Sequence, residues 1–284
     1  MKLLILGASG MLGNTLMRYF HNLNEFTVFG SVRNPSSSLQ FPENIQKNII
    51  SGIDAENLDG LTRLLNFIRP NLVINCIGLV KQISDANDPL AAIPINSLFP
   101  HRLALLTDAI NSRLVHMSTD CVFSGLKGAY KENDFPDAYD LYGRSKFLGE
   151  IDYPNAITLR TSIIGHELSG SRSLIDWFLS QSGSVSGYEK AIFSGLPTVE
   201  IAKIIKEFIL PNPLMHGVYH VSADPISKFN LLNLVSTRYK KAINIEQDNS
   251  VVIDRSLNSD KFRGETGYCP APWVELINAM HNFR

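Results

Sequence analysis

Short apolar runs alternate with longer segments of helical periodicity through the first half of the chain. Continuous apolar runs are typical of parallel strands buried on both faces of a sheet, whereas apolar residues spaced three and four apart indicate a helix. The predicted strands are 2–6, 26–32, 45–50, 72–77 and 114–117, and the predicted helices are 14–21, 58–68 and 89–110. This alternation predicts an α/β fold built on a doubly wound parallel sheet.

The alternation weakens beyond about residue 165. Residues 183–194 are rich in glycine and serine, a composition that predicts a mobile loop. Residues 199–210 have helical spacing, and residues 216–222 are a candidate strand that returns to the sheet. The second half is therefore expected to contribute both to the main sheet and to a separate, smaller lobe.

The 284 residues include 26 Lys and Arg against 27 Asp and Glu, for a formal net charge of −1. This balance leaves no broad basic surface, which argues against nucleic acid as a partner and favours a small molecule. Cys76, Cys121 and Cys269 lack metal-ligand spacing, so we expect free thiols and no metal site. No apolar run reaches the roughly 18 residues of a membrane span, so the protein is expected to be soluble, cytoplasmic and without membrane contact.

A glycine-rich turn follows the first predicted strand and precedes the first predicted helix. Glycines in this position allow a tight turn and let the backbone approach a pyrophosphate at the helix N-terminus. The alternative is a turn that only packs the helix closely on the strand. We favour a dinucleotide site, whose predicted residues here are Gly7, Ser9, Gly10, Met11, Leu12 and Gly13.

The end of the second predicted strand bears on the choice of dinucleotide. An acidic residue there would bind a ribose 2′-hydroxyl, whereas this chain has Ser31 and Arg33. Because an arginine accommodates a 2′-phosphate, the sequence favours NADPH, with NADH as the alternative. The competing interpretation is that Arg33 is an ordinary solvated loop charge.

Further cofactor contacts are predicted along the next elements. Asp54 lies near the expected adenine site, and Cys76, Ile77 and Gly78 close the fourth predicted strand with a small residue where a cofactor can pass. Asn96 lies in the following helical region. It is a candidate to hold a water or a backbone group near the catalytic lysine; the alternative is polar filler on a helix.

Tyr142 and Lys146 are spaced four residues apart, so on one helix their side chains share a face. A nearby cation favours the charged form of a phenol and makes Tyr142 a usable acid at neutral pH. The pair alone also fits an ordinary amphipathic helix. The glycine-rich turn upstream and the position of Thr119 after the fifth predicted strand favour the catalytic interpretation, since ligands bind at the carboxyl ends of such strands. Asp120 is either a substrate contact or the cap of a turn.

Four segments together suggest a family: Gly7-x-x-Gly10-x-x-Gly13, Asn75-Cys76-Ile77-Gly78, Ser118-Thr119-Asp120-Cys121-Val122-Phe123-x-Gly125 and Tyr142-Gly143-Arg144-Ser145-Lys146-x-x-Gly149-Glu150. With them the chain resembles an extended short-chain dehydrogenase/reductase. The motif Ser-Thr-Asp-x-Val-Phe-x-Gly is similar to the motif of the dTDP-4-dehydrorhamnose reductase branch. The resemblance implies a Rossmann-type domain over residues 1–165, with a returning segment near 196–222. It implies a substrate-binding lobe over residues 166–195 and 223–284.

The resemblance also implies roles for the catalytic residues. Tyr142 would be the general acid, Lys146 would assist it and bind the nicotinamide ribose, and Thr119 would hold the substrate carbonyl oxygen. Dehydratases of the same superfamily resemble Thr-Asp-Glu at the position where this chain has Thr119-Asp120-Cys121. The missing glutamate favours reduction over dehydration. The reductase branch commonly has tyrosine where Cys121 stands, which leaves the identity of the sugar open.

Substrate contacts are expected from residues outside the cofactor motifs. Arg255 lies in the segment where the family contacts the substrate diphosphate, and the alternative is a solvated loop arginine. Trp177 is a candidate to stack on sugar or base, and the alternative is a core position on its helix. The predicted substrate residues are Lys81, Asp120, Cys121, Trp177 and Arg255.

The resulting hypothesis is NADPH-dependent reduction of the 4-keto group of a dTDP- or UDP-linked deoxy sugar, for polysaccharide or glycan precursor synthesis. A homodimer is a candidate assembly. One alternative is a non-catalytic dinucleotide-binding subunit, similar to the regulatory subunit of methionine adenosyltransferase. The other is a sugar-nucleotide epimerase of the same fold.

Overall fold

A strand, a tight glycine turn and a helix open the computed structural model of the protein, which describes residues 1–80 and 87–284. The strands are β1 Lys2–Leu6, β2 Thr27–Val32, β3 Ile49–Ser51, β4 Leu72–Asn75, β5 Arg113–Thr119, β6 Ala156–Thr161, β7 Ile163–Ile164, β8 Ser184–Tyr188, β9 Ala191–Phe193, β10 Leu196–Pro197, β11 Gly217–His220, β12 Ile226–Ser227, β13 Asn244–Asp248 and β14 Ile253–Asp254.

Helices connect most of these strands. They are α1 Met11–His21, α2 Glu43–Gln46, α3 Leu58–Ile68, α4 Pro89–Ala92, α5 Phe99–Asp108, α6 Leu141–Leu148, α7 Leu174–Ser180, α8 Thr198–Ile204, α9 Lys228–Tyr239, α10 Asp260–Thr266 and α11 Trp273–Asn282. Short 3₁₀ turns span Pro35–Gln40 and Asp120–Val122, and π-helical turns span Ile93–Leu98 and Ile205–Ile209. Within the described ranges, none of the helices has the length and hydropathy needed to cross a bilayer.

The main sheet has seven strands in the order β11-β6-β5-β4-β1-β2-β3. Strand β1 pairs with β2 and β4, β2 pairs with β3, and β4 pairs with β5, all in parallel orientation. From β3 to β6 this is the doubly wound dinucleotide-binding order, in which ligands bind where the order reverses, between β1 and β4. The predicted Rossmann-type α/β class is confirmed, and the strand β11 joins the edge of the sheet as expected.

Helices cover both faces of this sheet, and most residues of the inner strands β1, β4 and β5 are apolar and buried. On one face, Leu4 and Leu6 of β1 belong to a buried cluster with Leu61 and Leu65 of α3 and Leu103 of α5. The other face carries α1. There β2 has Gly30, level with Ile5 of β1, and a Cβ at Gly30 would lie 2.9 Å from the Met17 sulfur of α1.

Two segments differ from the sequence expectation. In the predicted strand 45–50, residue Ile45 instead belongs to the short helix α2 that starts after Pro42, and β3 begins at Ile49. A short apolar run does not distinguish a buried helical turn from a strand. The predicted mobile loop 183–194 instead contains β8 and β9, whose partners β13, β12 and β14 lie 32 or more residues away in sequence. Distant pairing of this kind is not visible in local composition.

The chain divides into two compact units. Unit 1 comprises residues 1–118, 139–159 and 212–218, and its core contains the cluster of α3, α5 and the central strands. Unit 2 comprises residues 119–138, 160–211 and 219–284. Its own core is formed by apolar residues of α7, α9 and α11, including Phe178, Leu231 and Ile277.

Gly13 provides a test of the strand–helix packing. A Cβ at this position would overlap the Gly7 carbonyl oxygen and lie 2.8 Å from Ala8 Cα, so backbone atoms would have to move. We expect Gly13→Ala to lower the free energy of unfolding by about 2–3 kcal/mol, measured by urea denaturation. The matched control is Gly264→Ala on α10, where a Cβ meets no atom within 4 Å and the helix gains about 0.5–1 kcal/mol. Equal stabilities for both variants would contradict the close approach.

Candidate functional site

The helix α6 carries both residues of the predicted Tyr-x-x-x-Lys pair. Its N-terminus is capped by Asp140, whose carboxylate accepts a hydrogen bond from the Gly143 N–H at 2.7 Å. Tyr142 in the first turn is half-buried, and Lys146 one turn later is only 6% exposed. The two side chains therefore lie on one face of a helix, as the spacing predicted.

Lys146 is held at the carboxyl end of β5. Its Nζ donates to the Met117 carbonyl oxygen at 2.7 Å. Burial lowers the pKa of Lys146 from 10.5 to about 8, although the negative charge of Glu150 opposes this shift. Glu150 is fixed in turn by the Ser118 hydroxyl, which donates to its carboxylate at 2.6 Å. The ammonium is thus buried, hydrogen-bonded and near a carboxylate.

Asn96 holds the backbone that follows β4. Its side chain accepts from the Leu79 N–H at 2.9 Å and donates to the Leu79 carbonyl oxygen at 3.2 Å. The same amide donates to the Ser145 hydroxyl of α6 at 3.2 Å. Asn96 lies in the π-helical turn Ile93–Leu98, a local irregularity that often occurs at functional sites. Asn96 therefore connects the segment that follows β4 to α6, the helix that carries Tyr142 and Lys146.

Asn75 fixes the residues just before that point. Its Oδ1 accepts from the Ile77 N–H at 3.0 Å, so its Nδ2 donates to His116 Nδ1 at 3.1 Å. His116 is fully buried, and burial together with the charges of Lys146 and His101 holds its pKa well below the usual range. His116 is therefore a neutral imidazole that accepts at Nδ1. The turn from Cys76 to Gly78 is shaped by this asparagine.

The glycine turn has the form that a dinucleotide pyrophosphate requires. Gly7 adopts φ +77°, and a Cβ there would lie 3.1 Å from Ile77, so a side chain would be strained and crowded. Gly10 is the N-cap residue of α1, which has neither a side-chain cap nor an acidic residue in its first turn. Free N–H groups and a positive helix end remain there for an anion. The predicted residues from Gly7 to Gly13 are thus brought together.

The segment after β4 passes close to the lysine at Gly78, a residue without a side chain. A Cβ at Gly78 would lie 3.4 Å from Asn96 Oδ1 and 3.8 Å from Lys146 Nζ. No side chain of Gly78 itself fills this space, which fits the predicted passage of a cofactor. Burial raises the pKa of the neighbouring Cys76 thiol to about 12, so Cys76 lines the site as a neutral group.

The predicted adenosine-side residues lie further along the sheet edge. Ser31 at the end of β2 is buried, and its carbonyl oxygen accepts from the Ala8 N–H of the glycine turn at 2.9 Å. Arg33 is exposed and has no hydrogen bond or ion pair with any residue in the described ranges. Asp54 is also exposed, and its carboxylate accepts from the Glu56 N–H at 3.0 Å. Arg33 is therefore free to bind a phosphate.

In unit 2, Thr119, Asp120 and Cys121 form one hydrogen-bonded turn. The Thr119 hydroxyl accepts from the Cys121 N–H at 3.1 Å and donates to Asp120 Oδ1 at 3.2 Å. Thr119 is thus the residue that caps this turn, and not Asp120 as one of the two sequence interpretations had it. Val122 and Phe123 then anchor the segment in a buried cluster with Tyr130 and Leu257.

That cluster also places Arg255. Tyr130 pairs with Leu257 as a short parallel bridge, with the Asn258 N–H donating to the Tyr130 carbonyl oxygen at 2.7 Å. Arg255 then directs its Nε to the Phe123 carbonyl oxygen at 2.8 Å, and its Nη1 lies 4.0 Å from the Cys121 sulfur. The structure therefore brings together three of the five predicted substrate residues.

Asp120 is the charged centre of this group. It is only 8% exposed, and burial raises its pKa. The Arg255 cation, hydrogen bonds from Cys121 and Thr119, and the Lys228 cation oppose that rise. Lys228 opens α9 and is a functional candidate that sequence reasoning missed, since 107 residues separate it from Cys121 and no motif marks it.

Two predicted substrate residues are not part of this group. Lys81 lies outside the described residues. Trp177 lies on α7 with 38% of its surface exposed, which argues against the core alternative. Glu150, Asn75 and His116 were also missed as site residues. Asn75 and Glu150 stand inside the motifs that were recognised, and that position was the available signal.

Comparisons with known proteins identify the family. The family model described as "RmlD substrate binding domain" matches residues 1–252. The chain belongs to this family. Among curated relatives, dTDP-4-dehydrorhamnose reductase of Aggregatibacter actinomycetemcomitans is 27% identical over 79% of this chain and 74% of its own. The probable low-salt glycan biosynthesis reductase Agl14 of Haloferax volcanii is 30% identical over 56% of this chain and 52% of its own.

Another curated relative is described as a subunit of a transferase and not as a reductase. Methionine adenosyltransferase 2 subunit beta of Danio rerio is 26% identical over 81% of this RmlD-family chain and 71% of its own. Among solved structures, dTDP-4-dehydrorhamnose reductase of Bacillus anthracis in complex with NADP covers 99% of this chain and 97% of its own, with a TM-score of 0.78 and 20% identity. UDP-glucose 4-epimerase of Thermotoga maritima also has a TM-score of 0.78, at 14% identity and 100% and 98% coverage. These structures show that the chain shares their fold.

The burial of Lys146 predicts a specific dependence of stability on pH. Because its folded pKa of about 8 lies below 10.5, the unfolded chain binds the extra proton between these values, and stability rises with pH in that window. We expect the free energy of unfolding of the native protein to rise between about pH 8 and about pH 9.5, by roughly 2 kcal/mol relative to Lys146→Met. Parallel curves for the two proteins in urea denaturation would contradict the buried-ammonium description.

Proposed function

We propose that this RmlD-family chain is an NADPH-dependent reductase of the 4-keto group of a nucleotide-linked deoxy sugar. The observation that carries the proposal is the buried Lys146 ammonium, bound to the Met117 carbonyl oxygen one helical turn from Tyr142. A buried cation is costly unless it has partners, and such an arrangement is typical of functional sites. The reductase relatives support this chemistry.

Tyr142 acts as the general acid in this proposal. Its hydroxyl gives a proton to the substrate carbonyl oxygen, and the Lys146 ammonium stabilises the negative charge left on the phenol. The Thr119 hydroxyl holds the same carbonyl oxygen, as the family resemblance implies. When bound, the reduced nicotinamide supplies a hydride to the carbonyl carbon. The product is a secondary alcohol.

Unit 1 is the proposed cofactor domain. The N–H groups at the start of α1 bind the pyrophosphate, and Gly78, which has no side chain, lets the ribose approach Lys146. The exposed and unpaired Arg33 binds the 2′-phosphate, which favours NADPH over NADH. Ser31 and Asp54 line the adenosine side.

Unit 2 supplies the proposed substrate contacts. Arg255 binds the diphosphate, and Asp120 and Cys121 face the sugar. The dehydratase glutamate is absent at Cys121, so the chemistry ends at reduction. We infer a dTDP- or UDP-linked substrate and a role in glycan precursor synthesis. The three free cysteines support a location in the reducing cytoplasm.

A second candidate is a non-catalytic regulatory subunit. The similarity to methionine adenosyltransferase 2 subunit beta over 81% of the chain favours it. That role does not require a buried lysine beside a tyrosine, and therefore the reductase remains the preferred function. Recovery of a stoichiometric complex with a larger enzyme, together with an inactive purified chain, would reverse the preference.

The reductase proposal predicts turnover that depends on one phenol. Purified protein with NADPH and a dehydratase-generated dTDP- or UDP-4-keto-6-deoxy sugar is expected to oxidise NADPH, faster than NADH, as followed by cofactor absorbance. Tyr142→Phe is expected to lower kcat by roughly 10²–10⁴-fold while NADPH binding, measured by fluorescence titration, persists. The matched control is Tyr139→Phe in the same segment, because Tyr139 is 76% exposed. Equal rates for both variants would refute Tyr142 as the acid.

We also propose that the chain forms a homodimer. Helices α4, α5 and α6 of unit 1, together with the π-helical turn Ile93–Leu98, carry apolar side chains that are exposed to solvent: Leu90, Leu98, Leu105 and Leu148. His101 on α5 bonds to the Leu148 carbonyl oxygen at 2.9 Å, so these helices are adjacent. An apolar surface on neighbouring helices is typical of an interface with a second copy.

The dimer proposal predicts that a charge in this surface separates the copies. Leu105→Glu, at a position 64% exposed in the single chain, is expected to give a folded monomer in light scattering after size exclusion. Leu214→Glu is the control, because Leu214 is 88% exposed and lies outside these helices. A monomeric native protein, or a dimer that Leu105→Glu does not alter, would overturn the proposal.

A further inference from the structure

The Thr119 hydroxyl already uses its only proton inside the protein. It donates that proton to Asp120 Oδ1 at 3.2 Å, while one of its lone pairs accepts from the Cys121 N–H at 3.1 Å. A hydroxyl has one O–H donor and two acceptor positions. In this arrangement Thr119 has no proton left for a substrate carbonyl oxygen, although that oxygen needs a donor.

We propose that Asp120 is a positioning residue that controls the direction of the Thr119 hydroxyl proton. As a carboxylate, Asp120 keeps the proton of Thr119. As a carboxylic acid, Asp120 donates to the Thr119 oxygen, and the Thr119 proton becomes free to bind the carbonyl oxygen. This inference rests on the proposed reductase function, in which Thr119 contacts the substrate carbonyl.

The reversal needs no movement of the backbone. The same two oxygen atoms remain in hydrogen-bond contact, and only the donor and the acceptor exchange roles. Thr119 then accepts from both the Cys121 N–H and Asp120, which fills its two acceptor positions and turns its proton outward. Asp120 is not required to cap this turn, because Thr119 itself does so.

The surroundings of Asp120 couple this proton to ligand binding. Asp120 is 8% exposed, and burial raises its pKa, whereas Arg255, the Cys121 and Thr119 hydrogen bonds, and Lys228 lower it. Among the residues that the structure describes, Arg255 and Lys228 are the cations that act on this carboxyl. An anion that binds to them weakens their effect on Asp120. Binding of a nucleoside diphosphate therefore favours the protonated form of Asp120 and frees the donor of Thr119.

Calorimetry tests this coupling without turnover. Binding of dTDP, measured in buffers of different ionisation enthalpy, is expected to include uptake of up to one proton by Asp120 in the native protein. Asp120→Asn and Asp120→Ala cannot take up this proton, so the difference from the native protein isolates it. Two variants are used so that a folding defect in one leaves the other as the test. Identical proton uptake by the native protein and a folded variant would overturn the proposal.

The pH dependence of the reaction provides the second readout. The native kcat/KM is expected to fall about tenfold per pH unit above the titration of Asp120, because Thr119 loses its free proton. The Asp120→Asn side chain donates to Thr119 at every pH, so the fall in kcat/KM at high pH disappears in this variant. In a Thr119→Val background, Asp120→Asn is expected to leave the profile unaltered, because the group through which it acts is gone. The same fall in kcat/KM at high pH in Asp120→Asn would overturn the proposal.

Different results would reject the reductase function and the Asp120–Thr119 coupling. Absence of turnover with every keto sugar, together with Asp120-dependent proton uptake on dTDP binding, would reject the reductase and support the Asp120–Thr119 coupling. Turnover with a profile and a proton uptake that do not depend on Asp120 would support the reductase and reject the coupling.

Discussion

The burial of one ammonium group determines the arrangement of unit 1. Removing the Lys146 charge from water is costly, and the Met117 carbonyl oxygen at the end of β5 compensates for part of that cost. The bond requires that α6 sit against the end of that strand, which in turn places Tyr142 at the carboxyl edge of the sheet. Glu150, fixed by Ser118, adds a negative charge nearby and limits the fall in the pKa of Lys146. The buried Lys146 ammonium therefore fixes the position of α6 relative to β5, and with it the position of Tyr142.

Two asparagine side chains make the cofactor side of this site rigid. Asn75 uses both ends of its amide, one for the Ile77 N–H and one for His116, and Asn96 does the same for Leu79 and Ser145. Buried amides are costly when they are unsatisfied and stabilising when every partner is present. The segment after β4 is therefore held by specific bonds, and Gly78 adds no side chain between it and Lys146. Preorganisation of this kind reduces the cost of binding.

The last two residues of β5, Ser118 and Thr119, direct their side chains to opposite faces of the strand. Successive side chains point to opposite faces, and so Ser118 bonds to Glu150 in unit 1, whereas Thr119 bonds to Asp120 in unit 2. The buried carboxyl of Asp120 experiences both Arg255 and Lys228. A proton on that carboxyl changes what the neighbouring hydroxyl can donate. In the proposed reductase, this turn connects the charge of the substrate with recognition of its carbonyl oxygen.

Local pattern alone determined the glycine turn, the buried strands β1, β2, β4 and β5, the helix α3 and the Tyr142–Lys146 face, because each depends on residues close in sequence. Only the tertiary structure decided the short helix α2, the strands β8 and β9, and the roles of His116 and Lys228. These features arise from partners that lie tens of residues away, whose approach no local periodicity records. Burial also sets the proton affinity of Lys146 and Asp120, and burial is a property of the folded chain.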